Sequence, residues 1–252
     1  MNRLIITFLS VLAMFLTQCG KDEGVCISST GKTITQNRIA LPYNYVEVHD
    51  NINLFLTQDT SITGIVVEAG ENLIDGITTK IDSGRLVLRN RNSCNWLRSF
   101  EVPVNVYLTF TQMDTLITYA AGNITCTNDW TNDSIYFEMI EGGGQINLKL
   151  QAFKSYIFIQ YGTASVNVTG FSQVTFLISH AYGPLHAENL NSKFNYVSSF
   201  SPNDLFVNAT VELAAEIGNI GDIYYCGDPP VIYTNIFGGG KLIKLYQCLC
   251  AR

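Results

Sequence analysis

The 252-residue chain has little charge, few histidines and, beyond Leu16, no long apolar run. Charged residues make up 14%, and acids outnumber bases by 21 to 15. Nucleic-acid binding rests on basic groups that neutralise phosphates, so this balance excludes nucleic acid as a partner. His49, His180 and His186 are the only histidines, with no HExxH or H-x-H among them, so the usual helical zinc motif is missing. No G-x-S-x-G elbow occurs. Gly238-Gly239-Gly240-Lys241 lacks the Ser or Thr that follows the lysine of a phosphate loop. Cysteines never fall as C-x-x-C, and the Cys248-Leu249-Cys250 spacing does not suit structural zinc. The sequence therefore assigns no catalytic residue, no metal site and no cofactor. Nor does any stretch after residue 25 show the 3.6-residue period of an amphipathic helix.

The chain begins with an address. Residues 4–16 are apolar apart from Thr7 and Ser10, and Arg3 precedes them. A bilayer-spanning helix needs about 20 residues, so this shorter run reads as the h-region of a secretory signal. Leu16-Thr17-Gln18-Cys19-Gly20 resembles a bacterial lipobox, with Gln18 where a small residue is usual. It predicts cleavage after Gln18 and acylation of Cys19. The mature chain is then 19–252, and with Arg3 gone it is one charge more negative than the −6 of the whole sequence. Lys21-Asp22-Glu23 resembles the surface-export signal of Bacteroidota lipoproteins. The expected location is the outer membrane, surface-exposed, with acylated Cys19 held in membrane lipid as two or more chains allow.

What the sequence has in quantity is a beat. Strand-like stretches begin near Ile124, Ile146, Val166, Leu185, Leu205, Ile223 and Leu242, a step near twenty each time. Small-residue turns precede them, such as Gly142-Gly143-Gly144, Tyr182-Gly183-Pro184 and Gly238-Gly239-Gly240. Within a beat the period is two: Ile146, Leu148 and Leu150 share one side, Gln145, Asn147 and Lys149 the other. Alternation of this kind marks a half-buried strand, and a period near twenty marks a solenoid. A second strand precedes most turns, at 134–140, 154–160, 174–178 and 213–217. The expected fold is all-β, a parallel β-helix-like solenoid of coils about 20 residues long. An antiparallel sandwich is the rival, but its turns should come roughly every 8–12 residues.

Residues 37–119 are rich in strands but less regular, with a hairpin turn at Asp82-Ser83-Gly84. The expected organisation is a signal at 1–18, a lipidated linker at 19–36, a strand-rich section at 37–119 that caps the solenoid, and solenoid repeats at 120–252, continuous with it. With Cys19 acylated, six cysteines remain in a compartment that permits disulfides. Cys26 with Cys94 is one possible pair; Cys248 with Cys250 would be strained. Parity along the beat places Cys126 inward as a buried free thiol and turns Cys226 outward, so the two are not expected to pair.

Several stretches resemble the head-GIN-domain auto-transporter adhesin family of Bacteroidota. They are Val48-His49-Asp50-Asn51-Ile52-Asn53-Leu54-Phe55-Leu56, Val67-Glu68-Ala69-Gly70-Glu71-Asn72-Leu73, Asn92-Ser93-Cys94-Asn95-Trp96-Leu97, and Ile220-Gly221-Asp222-Ile223-Tyr224-Tyr225-Cys226-Gly227-Asp228-Pro229-Pro230 with the following Phe237-Gly238-Gly239-Gly240-Lys241-Leu242. The likeness covers roughly residues 37–245. It implies a β-helical body and a lipoprotein or secreted address, and carries no catalytic residue across.

For function, the resemblance and the composition imply a non-catalytic cell-surface lipoprotein that binds a glycan or a protein. Tyrosine combines contact area with a polar tip, which makes Tyr161, Tyr182, Tyr196 and Tyr224 the candidate binding residues. A polysaccharide-active β-helix enzyme is the alternative, drawing on Asp129, Asp133, Glu138, Glu141, Glu188, Asp204 and Asp222, which do not recur at one coil position in the sequence; a purely structural envelope protein is the third. Asp114-Thr115-Leu116 and Asp133-Ser134-Ile135 resemble O-glycosylation sites. A groove with three or more carboxylates would favour the enzyme; rows of Tyr and Asn on a flat side would favour binding.

Overall fold

A computed structural model describes residues 30–92 and 102–246. Cys19, Lys21, Asp22, Glu23, Cys26, Cys94, Cys248 and Cys250 lie outside them. The described residues form eighteen strands and one 3₁₀ turn at Ile74–Gly76, with no α-helix. The first seven strands are β1 (Thr33–Arg38), β2 (Tyr45–Asp50), β3 (Ile52–Gln58), β4 (Gly64–Gly70), β5 (Ile77–Asp82), β6 (Arg85–Asn90) and β7 (Val104–Phe110). Next come β8 (Thr115–Ala120), β9 (Ile124–Cys126), β10 (Trp130–Met139), β11 (Gln145–Ile159), β12 (Ser165–Ser179) and β13 (Leu185–Ser199). The last are β14 (Leu205–Asn208), β15 (Glu212–Ile217), β16 (Ile223–Cys226), β17 (Val231–Ile236) and β18 (Leu242–Lys244).

The fold is a parallel β-solenoid, and the beat is its register. Ile124 pairs with Ile146, Ile146 with Val166, Val166 with Leu185, Leu185 with Leu205, Leu205 with Ile223 and Ile223 with Leu242. A second column stacks the later strand of each coil: Tyr136, Tyr156, Phe176, Tyr196, Ala214 and Tyr233 stand in successive register. In β11, β12 and β13 the two strands join as one run of 15 residues. The step from Val166 to Leu185 is one short, and the register shifts between Asn167 and Thr169 so that Thr169 pairs with Asn189. One extra residue in β13 restores the usual step. The next coil, from Leu205 to Ile223, is shorter again, and its strand splits into β14 and β15.

Strands on both sides of residue 120 belong to the same stack. β2 lies parallel between β6 and β8, and β3 parallel between β7 and β9. Spatial order therefore departs from chain order: β2 and β3 sit between β6 and β7 on one side and β8 and β9 on the other. Antiparallel strands close this end, β4 on β7 and β1 on β4 in one column and β5 on β6 in the other. The β5–β6 turn has Ser83 at φ 52 and Gly84 at φ 80, the left-handed pair that a two-residue hairpin needs.

Alternation puts one side of every coil into a shared interior. Ile146, Leu148, Leu150, Val166, Val168, Leu185 and Leu190 face Ile157, Leu177 and Val197, all essentially without solvent contact. Each such side chain contributes roughly 1.5–3 kcal/mol on full burial, and no single coil can bury its own face. A seam of hydroxyls runs through this interior. Ser155 Oγ donates to Ser172 Oγ at 2.8 Å, and Thr175 Oγ1 lies 3.2 Å from Ser155 and 2.7 Å from Ser192. Mutual pairing satisfies groups that would be costly to bury alone. Gly170 pairs with Leu150 at φ 113, a conformation open to glycine, and a Cβ there would strike the Leu150 carbonyl oxygen.

Cys126 is a free, buried thiol, and burial pushes its pKa up to about 11. The outward placement of Cys226 is overturned. It is fully buried and disulfide-bonded, and its partner lies outside the described residues. Cys226 is the last residue of β16, directly before the turn at Gly227 with φ 88, and at a strand's end the chain on its far side can bury a residue that alternation alone would turn outward.

Candidate functional site: an aromatic ladder with a missing rung

Parallel strands stacked in register bring residues one coil apart to about 4.7–4.9 Å. Tyr136, Tyr156, Phe176 and Tyr196 recur at one constant step on the outward side of the second column, so their rings meet. Phe176 stacks on Tyr156 at 5.1 Å and on Tyr196 at 5.2 Å. Tyr136 tilts against Tyr156 at 6.4 Å and meets Phe158 edge-on at 5.3 Å. Such pairs contribute about 0.5–1.5 kcal/mol beyond their burial.

The ladder breaks at Ala214, which pairs with Tyr196 on one side and Tyr233 on the other. A cleft of about 370 Å³ opens there, walled by Phe176, Ile178, Tyr196 and Tyr233 and rimmed by Ser198, Glu216 and Asn235. The Asn235 amide donates to Glu216 Oε1 at 3.2 Å. Burial and the nearby Glu212 carboxylate both push the Tyr196 hydroxyl above the ordinary tyrosine pKa. It is therefore a standing donor at neutral pH. No Lys or Arg lines the cleft.

The other column carries stacks without such a break at their contacts. Phe55 lies on Tyr107 at 4.9 Å, His186 on Phe206 at 4.8 Å and Phe206 on Tyr224 at 5.0 Å. Asparagine amides join neighbouring coils, Asn53 to Asn105 at 3.0 Å and Asn167 to Asn147 at 3.2 Å. At the N-terminal end Glu47 is buried. His49 Nε2 lies 2.5 Å from its Oε1, and Arg85 bonds its Oε2. Burial opposes charge on Glu47, but the hydrogen bonds from His49 and Arg85 outweigh it and hold the carboxyl below its ordinary pKa.

The structure does not gather the four candidate tyrosines. Tyr161 and Tyr182 project at the corners, each 65% exposed. Tyr224 belongs to the other column, and only Tyr196 borders the cleft. Phe158, Phe176, Ala214 and Tyr233 were not singled out by sequence, although the spacing of 136, 156, 176 and 196 was there to be read. Thr115 is half-buried and donates to Asp114 at 2.7 Å; Ser134 is exposed.

The candidate acids are spread over the molecule, and Asp129, Glu138, Glu188, Asp204 and Asp222 are engaged locally. Glu138 accepts from Tyr136 at 2.7 Å and from Gln160 at 3.0 Å; Glu188 lies 3.2 Å from His186. Asp204 and Asp222 do recur at one coil position, contrary to the sequence reading. Asp204 accepts from the Asp222 backbone at 3.0 Å, and Asp222 from that of Lys241 at 2.7 Å. They staple successive corners. Among the described residues no three His, Cys, Asp or Glu side chains converge.

Fold and face together define a β-solenoid that displays stacked side chains on long, regular sheets. The chain belongs to the family described as "Putative auto-transporter adhesin, head GIN domain", whose model matches residues 42–229. Among solved structures it is similar to a putative adhesin from Bacteroides fragilis, at 22% identity and TM-score 0.77, covering 85% of this chain and 97% of that one. It is also similar to two proteins of Parabacteroides distasonis. One is called a putative adhesin (17%, TM-score 0.67, 85% and 98% covered) and the other a putative lipid binding protein (19%, 0.68, 85% and 97%). These likenesses are of fold. No curated protein matches the chain.

Proposed function

We propose that the chain is a non-catalytic adhesin, anchored through acylated Cys19 in the outer membrane and displayed at the cell surface, which binds a glycan or a protein through the aromatic column. The interrupted ladder carries this reading. An apolar cleft bounded by exposed rings and a few polar groups is the common form of a recognition site. The family's description and those of two of the three solved relatives point the same way. Only one carboxylate, Glu216, lines the cleft, whereas hydrolysis of a glycosidic bond ordinarily uses a pair flanking that bond; the acids Glu138, Glu188, Asp204 and Asp222 do not line it and are engaged locally. Among the described residues no helix is long and apolar enough to cross a membrane, so the anchor in this reading is the lipid.

The test is a glycan-array and host-matrix screen with the soluble 25–252 fragment and product analysis of every hit. Saturable binding with the ligand left intact is the expected result. Turnover of a bound polysaccharide would overturn the non-catalytic reading, and silence across both screens would favour a structural envelope role.

A further inference from the structure

We infer that the gap at Ala214 is a subsite for one pyranose ring of a neutral glycan, held between Tyr196 and Tyr233 as the missing rung of the ladder. This deepens the adhesin reading and rests on it.

Width is the first argument. Tyr196 and Tyr233 flank Ala214 in register, two strand spacings apart, or about 9.4–9.8 Å. A flat plate such as an aromatic side chain or a guanidinium, touching rings on both sides at about 3.5–4.0 Å, needs about 7–8 Å. At the backbone, the strands flanking Ala214 stand wider apart than that. A puckered sugar ring, with C–H groups on both faces, fills more of that spacing and presents those groups to the tyrosine faces.

The second argument is the contrast further along the same column. Phe200 and Phe237 also flank a small residue, Gly218, yet their rings close over it, with centroids 6.2 Å apart. At Ala214 the tyrosines do not close, and the cleft of about 370 Å³ remains.

The third is the rim. Glu216, Asn235 and Ser198 stand at one margin of the cleft, and Glu212, two residues before Ala214 on β15, lies on the other side. Carboxylate and amide oxygens accept from sugar hydroxyls. With two carboxylates near and no cation in the lining, an anionic sugar is disfavoured and a neutral one fits.

The test uses the purified full chain on an array of neutral hexose and N-acetylhexosamine oligosaccharides, beside arginine- and tyrosine-containing peptides and host-matrix proteins. Ala214→Phe fills the gap with a ring. Tyr233→Ala removes one wall at the last rung of this column among the described residues. Lys149→Ala, on the other column, is the control. The expected result is oligosaccharide binding by the parent and by Lys149→Ala, weakened at least about ten-fold in both Ala214→Phe and Tyr233→Ala, with melting temperatures close to the parent's. Should Ala214→Phe fold poorly, Tyr233→Ala decides alone. Undiminished sugar binding in the variants would place recognition elsewhere and leave the adhesin reading standing. Peptide or matrix binding that the variants lose, without sugar binding, would overturn the pyranose assignment only. No binding to any probe would sink both.

Discussion

Phe200 and Phe237 belong to coils two apart, yet their rings meet at 6.2 Å across Gly218. Phe200 also stacks on His180 at 4.7 Å, so this ladder survives the loss of a rung by closing over it. A Cβ on residue 218 would stand 2.5 Å from Phe200 Cδ1 and 2.8 Å from Phe237 Cε2. Gly218→Ala should push the rings apart at a cost of about 1 kcal/mol, the low end for overpacking because ring edges can move. Near-UV circular dichroism and a thermal melt would read it. An unchanged aromatic signal would mean that the two rings are not in contact in solution.

Gly170, inside β12, should tolerate no side chain. Its φ of 113 and the Leu150 carbonyl in the path of a Cβ act together, so Gly170→Ala should cost at least about 3 kcal/mol. In a chain of this size that is roughly 6–12 °C in melting temperature. Gly143→Ala is the comparison: the nearest atom to its Cβ would be 4.0 Å away, and the change should stay within about 0.5 kcal/mol. Equal losses at the two positions would contradict the register.

Cys126 should be silent to alkylation while the chain is folded. Thiolate is the reactive form, and burial that lifts the pKa to about 11 leaves almost none at pH 8. Iodoacetamide labelling read by peptide mass spectrometry should miss Cys126 in buffer and find it in denaturant. Rapid labelling of the native chain would place this thiol outside the core.

Glu47 should make stability pH-dependent on the acid side. Its folded pKa is depressed, so its contribution is whole above the ordinary glutamate value of about 4.3. It fades as pH falls below that toward the native value. Glu47→Gln should lose about 1–3 kcal/mol at pH 7, as for a hydrogen bond to a charged group, because Arg85 remains half in water after its partner goes. It should also flatten the acid limb of a melting-temperature profile. Parallel acid limbs in parent and variant would show that other carboxylates set it.

Much of this molecule is written in its sequence. The starts of seven beats were legible because parallel stacking demands a repeat of nearly fixed length, and those residues, Ile124 through Leu242, are in-register partners. Inward and outward sides were legible because side chains alternate along a strand. The position of Cys226 was not, since it is the last residue of β16, where the turn at Gly227 bears on burial as well as alternation. The placement of β2 and β3 between later strands was hidden too, because a repeat length says nothing about which coil stacks on which.

The candidate site divides along the same line. The sequence by itself placed Tyr136, Tyr156, Phe176 and Tyr196 at one constant step, which in a parallel stack makes a ladder. It could not say that Tyr233, off that step, continues the ladder, or that Ala214 is the absent rung. Those facts depend on the shortened coil from Leu205 to Ile223, split into β14 and β15, and only pairing across coils fixes where each shortened loop returns to register. Whether a gap then closes, as over Gly218, or stays open, as over Ala214, is decided by packing of rings in three dimensions.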